Sequence, residues 1–180
     1  MNVTLIGMPG AGKSTVGREV ARRLQLRFID TDRLIQQHTG LTIAENLARL
    51  GDEGFIHLEE RVVLQLGNFD NCLVSPGGSV IYSRKTMDFL KQRAVLVFLD
   101  VPREIIQSRV GPQRGVVRLK GRTLEGLFNE RLPLYRQYAD VTISANREVD
   151  LVAEDIVGIV KNMANEPPHG QRSIPHPEAS

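Results

Sequence analysis

Residues 7–15, Gly-Met-Pro-Gly-Ala-Gly-Lys-Ser-Thr, constrain this chain more than any other stretch. Gly7, Gly12, Lys13 and Ser14 satisfy G-x-x-x-x-G-K-[ST], and each position has a chemical reason. A triphosphate crowds negative charge into a small volume, so it needs many donors at close range. Glycines let backbone N–H groups curl around phosphates with no Cβ in the way. A helix starting near Gly12 aims the positive end of its dipole at the same point. The segment Gly10, Ala11, Gly12, Lys13, Ser14 and Thr15 is therefore the candidate ATP-binding stretch. Lys13 is expected on the β/γ-phosphates and the Ser14 hydroxyl on Mg²⁺. The context agrees. Asn2–Gly7 reads as a short buried strand, and Val16, Val20 and Leu24 mark one face of a helix. Strand, glycine loop and helix form the order this chemistry requires, which an accidental Gly-rich turn would lack.

The remaining chain extends that unit. Arg27–Asp30, Cys72–Ser75, Ala94–Leu99 and Val141–Ile143 read as further strands, the apolar run 94–99 as a central parallel one. Thr42-Ile-Ala-Glu45 is a capping box that opens a helix closed by Gly51. Asp52 then caps a helix with Phe55, Leu58, Val62 and Leu66 on one face. Ser83, Pro102, Thr123 and Asp150 begin later helices. Strands alternating with helices predict an α/β fold, a five-stranded parallel sheet covered on both faces. Residues 1–163 form the expected single domain. Residues 164–180, rich in proline, are the expected disordered tail.

Composition excludes several classes. Net charge is only +2 across 180 residues, too small to argue for nucleic acid or an anionic membrane. No apolar run is long enough to span a bilayer, and no leader is visible. Cys72 is the only cysteine, so no intrachain disulfide forms and a cytoplasmic setting is expected. The four histidines show no metal-ligand spacing.

Asp30 and Asp32 sit where a strand ends, at the sheet edge that binds ligands in open α/β folds. Alternation along an extended segment would put both side chains on one side. One carboxylate can hold Mg²⁺ beside Ser14, and the other can accept a proton from an attacking hydroxyl. The competing reading is a pair of turn and capping aspartates. Gly77-Gly78 is read equally as a turn or as a close approach to a ligand. From Arg103 to Arg136 seven arginines and one lysine face three glutamates. Arg114 and Arg118 fall in the Gly-rich stretch 110–122, which reads as a mobile lid. An arginine closing from such a lid onto the transferring phosphoryl group is worth about 10³–10⁵ in rate.

Together these pieces resemble the shikimate kinase family of P-loop small-molecule kinases, over roughly residues 1–163. The likeness rests on the Gly7–Thr15 loop, Asp30-Thr-Asp32 and Gly51-Asp-Glu-Gly-Phe-Ile-His-Leu-Glu59. It continues through Pro76-Gly-Gly-Ser79 and Glu130-Arg-Leu-Pro-Leu-Tyr135. The resemblance implies a P-loop kinase fold, a monomer, and transfer of the ATP γ-phosphoryl group to an alcohol without a covalent intermediate. It implies Asp30 on the metal, Asp32 as base on the substrate hydroxyls and Gly78 offering backbone to the substrate. It also implies Arg131 on the substrate carboxylate and Arg109 flanking the adenine.

Departures concern the acceptor. Where the family has an arginine after phenylalanine, this chain has Ile56, and Ser79 stands for the third glycine. Arg114-Gly-Val-Val117 replaces the family's Arg-Pro-Leu-Leu, leaving Arg114 and Arg118 both candidates for the lid role. Losing an arginine and gaining an apolar side chain also suits a smaller hydroxy acid or a hydroxy-amino acid. Glu59 loses its expected cationic partner on the same helical face. Three functions are thus weighed: shikimate kinase, a kinase for another small hydroxylated molecule, and a nucleotide-binding protein without turnover.

Overall fold

The computed structural model describes residues 1–110, 116–117 and 123–165. Five strands form one parallel sheet: β1 (Asn2–Ile6), β2 (Arg27–Asp30), β3 (Cys72–Ser75), β4 (Val95–Asp100) and β5 (Val141–Ser144), in the order β2-β3-β1-β4-β5. Register is set by pairs such as Thr4 with Val74 and with Leu96. Successive residues of a strand face opposite sides of the sheet. Yet Val3 to Ile6, Cys72 to Ser75 and Leu96 to Leu99 are buried without interruption. Both faces of the central strands are therefore covered, while the edge strands β2 and β5 are only partly buried.

Helices supply that cover. α1 (Lys13–Leu24) and α7 (Val149–Asn165) pack on each other, while α4 (Arg84–Lys91) and α6 (Leu124–Tyr138) lie against β4. α2 (Thr31–Thr39) packs on α3 (Ile43–Leu64), and α5 (Arg103–Arg109) follows β4. The capping box forms as expected. Thr42 Oγ1 accepts from the Glu45 amide, and Glu45 Oε2 accepts from the Thr42 amide. Caps of this kind contribute about 1 kcal/mol. Gly51, at φ 68°, breaks α3 into two helical stretches at the expected place. Ser83 and Thr123 cap α4 and α6 through their hydroxyls.

Two apolar clusters result. The larger one fills the sheet–helix layers. A smaller one joins α2 and α3 through Ile35, Phe55, Leu58 and Val62, with Val117 closing over it. The site lies between these clusters, at the carboxyl ends of the central strands, where loops leave the sheet in opposite directions.

Candidate active site

The loop after β1 is bent by glycine. Gly10 and Gly12 have φ of 85° and 89°, a region costly for any residue with a Cβ. Gly12 begins α1, so the free amides of the first helical turn open onto a cavity of about 350 Å³. Gly10, Ala11, Gly12, Lys13, Ser14, Thr15 and Arg109 all line it. Lys13 is buried, and its ammonium donates to the carbonyls of Gly7 (2.9 Å) and Met8 (3.1 Å). Arg109 reaches across from α5 and donates to the Gly10 carbonyl.

Asp30 caps a helix with one oxygen, the competing reading made of it, and meets Ser14 with the other. Oδ1 accepts from the amides of Asp32 and Arg33 and so caps α2. Oδ2 accepts from Ser14 Oγ at 2.8 Å, facing the cavity. These are hard oxygen donors on two elements, a set suited to Mg²⁺. The face-alternation argument for Asp32 does not hold, because Asp32 lies in the first turn of α2, beyond the strand. The helix turn nevertheless aims it at the same cavity.

A second, smaller cavity of about 40 Å³ adjoins the first. Gly78 and Arg131 line it with Phe55, Ser79, Val116 and Val117. Lys13 and Asp32 line both cavities. Ile56 is not among the lining residues. It packs at the margin of the smaller apolar cluster instead. Arg114, Arg118, nearly all of the lid and residues 166–180 of the tail lie outside the described residues.

The two glycines after β3 open a turn and admit the close approach of protein side chains rather than of a ligand. A Cβ on Gly77 would stand 2.4 Å from Glu59 Oε1 and 2.9 Å from Asp32 Oδ1, and one on Gly78 would collide with Pro9. Glu59 is 1% exposed. Burial first, and then the charge of Asp32, push its carboxyl up to about 7, against the pull of a hydrogen bond from Ser79 Oγ at 2.7 Å. Its other oxygen has no hydrogen-bond partner among the described residues. Burial also pushes the Tyr135 hydroxyl up, so that group keeps its proton and donates it to the Gly78 carbonyl at 2.6 Å.

Sequence reasoning did not single out Ser79 as Glu59's partner, nor Tyr82, Tyr135 or Arg147. Arg147 lines the larger cavity from the loop after β5. Its position past a strand's carboxyl end was the available signal. Tyr135 ends the motif Glu130–Tyr135 that carried the resemblance, without a role of its own there, and for Tyr82 no local signal exists.

A glycine loop at a helix start, two joined cavities, and a lysine and an aspartate at the junction define a P-loop phosphotransferase for small molecules. The shikimate kinase family matches residues 9–161. A shikimate kinase of Baumannia cicadellinicola subsp. Homalodisca coagulata is 35% identical over 89% of this chain and 96% of that protein. The structure of a shikimate kinase from Acinetobacter baumannii in complex with shikimate is 32% identical. It superposes with a TM-score of 0.84 over 92% of this chain and 95% of that one. The Aquifex aeolicus enzyme gives 30% identity and a TM-score of 0.80 over 92% and 99%. The chain belongs to the shikimate kinase family, and its reaction is phosphoryl transfer to a hydroxyl group.

Proposed function

We propose that this enzyme transfers the γ-phosphoryl group of ATP to a hydroxyl of shikimate. One observation carries the reading: Lys13 and Asp32 are shared by the nucleotide cavity and the acceptor cavity. Transfer between two substrates needs a point that both reach, and these side chains occupy it.

The main chain from Gly10 to Thr15 binds the phosphates, and Arg109 lies beside the base. Asp32 takes the hydroxyl proton as the new O–P bond forms and the bond to the ADP oxygen breaks. Lys13 holds positive charge where negative charge spreads over the transferring group. Ser14 and Asp30 would hold Mg²⁺, which supplies charge neutralisation on the phosphates. Arg131 binds the acceptor carboxylate with a planar set of N–H donors. Arg114 or Arg118 provides the lid cation. No described helix is long and apolar enough to cross a membrane. A cytoplasmic monomer is the reading that follows; the free, buried Cys72 supports the reducing compartment, and the exposed large apolar side chains among the described residues are Met1, Leu50, Val149, Leu151 and Met163.

A second reading, a kinase for another small hydroxy acid, is favoured by one feature. Arg131 is the only described arginine lining the acceptor cavity. ADP release with Mg²⁺-ATP and a panel of hydroxy acids, polyols and hydroxy-amino acids separates the two. Shikimate-dependent ADP is expected, and ADP with a different acceptor alone supports the second reading. Nucleotide binding without turnover on any acceptor would refute both.

A further inference from the structure

The segment after β3 ties the acceptor side together. Gly77 sits between Asp32 and Glu59, Gly78 rests on Pro9 and accepts from Tyr135, and Ser79 donates to Glu59. Its last residue, Tyr82, closes the 3₁₀ turn Val80–Tyr82 and meets Arg131 twice over. Arg131 Nε donates to the Tyr82 hydroxyl at 3.1 Å, and the guanidinium carbon lies 4.9 Å from the centre of the Tyr82 ring. Nη2 donates to the carbonyl of Val117 at 2.7 Å. Arg131 is fully buried, and the oxygens holding it are neutral. A guanidinium has five N–H donors in a fixed plane. The Tyr135 hydroxyl also bears on this guanidinium, whose remaining donors form its outer edge, in the plane that the Nε and Nη2 bonds set, at the wall of the acceptor cavity.

We infer that Tyr82 is a positioning residue for acceptor binding: it fixes the plane of the Arg131 guanidinium so that its outer edge meets the acceptor's carboxylate. The inference rests on the proposed shikimate reading and adds a residue to it. Arg131 and Tyr135 are one helical turn apart on α6, and both grip the turn 77–82. Tyr135 sets the distance between helix and turn, and Tyr82 sets the rotation of the guanidinium. Without the Tyr82 hydroxyl, the side-on edge keeps only the Val117 carbonyl, and the guanidinium can pivot about that one bond. The ring face alone restrains such rotation weakly, because attraction to a π face has little directionality within its plane.

The test is steady-state kinetics of wild type, Tyr82→Phe and Tyr82→Leu with shikimate and with its methyl ester, whose carboxylate is masked. Tyr82→Phe should raise KM for shikimate about tenfold, the scale of one hydrogen bond to a charged group. It should leave KM for the ester, KM for ATP and kcat within about twofold, and Tyr82→Leu should extend the shikimate effect further. A purely structural role would move all these quantities together and lower the melting temperature in parallel. Equal loss on acid and ester, or an unaltered shikimate KM in Tyr82→Phe, overturns the inference while leaving the proposed reaction intact. A wild-type enzyme that releases no ADP with shikimate removes the acceptor reading and this inference with it.

Discussion

The nucleotide half and the acceptor half of the site are built in different ways. The nucleotide half is largely main chain. Six consecutive residues, Gly10 to Thr15, line the cavity, and Lys13 bonds carbonyls only five and six positions away. The acceptor half is side chain, drawn from α2, α3, α6 and the turn after β3. Its bonds span 20 residues between Ser79 and Glu59, 49 between Arg131 and Tyr82, and 57 between Tyr135 and Gly78. A phosphate group is the same in every nucleotide, so a fixed backbone nest serves it. An acceptor differs from enzyme to enzyme, and side chains on separate elements can change one at a time.

Substitutions can break this contrast, and the largest effect belongs to the nucleotide half. Lys13→Met should lower kcat by about 10³-fold, the scale of removing a donor from developing charge, with the fold retained. An unchanged kcat in a coupled ADP assay would remove Lys13 from the transfer point.

Glu59→Gln comes next and is read in stability. Folded Glu59 keeps its proton to about pH 7, while an unfolded glutamate releases it near 4.5. Between those values the native state binds more protons, so this group makes stability fall as pH rises through the window and level off above it. The glutamine variant lacks that fall. Melting curves should show it gaining on wild type from pH 4.5 to 7, with a final gap on the order of 3 kcal/mol. A constant difference across the range would mean that Glu59 is ionised throughout.

Arg131→Lys should raise the acceptor KM roughly 10- to 100-fold, because a point charge replaces a planar donor set, and leave KM for ATP unchanged. A parallel rise for ATP would show that the two halves are not separable. Ser79→Ala is the smallest change. It removes the bond that lowers the Glu59 pKa, so the pH window of falling stability should extend above 7 at a cost of about 1 kcal/mol. Coincident pH profiles for wild type and Ser79→Ala would show the hydroxyl to be irrelevant to Glu59.

Much of this was legible in the chain alone. The strands, the caps at Thr42, Ser83 and Thr123 and the break at Gly51 agree with the sequence reading, because each depends on contacts within a few residues. Asp30 and Asp32 converge as expected, though a helix turn rather than an extended segment brings them together. The open question at Gly77 resolves only in three dimensions, since the atoms excluding a side chain there belong to Glu59 and Asp32.

The amino-acid sequence by itself therefore determined the parallel sheet and the phosphate loop. Hydrophobic periodicity and glycine conformations act over short stretches and leave their mark in local order. Only the tertiary structure decided the acceptor pocket: which hydroxyl meets Glu59, what braces Arg131, and that one lysine and one aspartate face both cavities. Those relations come from helices packing side by side. Burial there turns a distant neighbour into a hydrogen-bond partner whose loss water cannot make good.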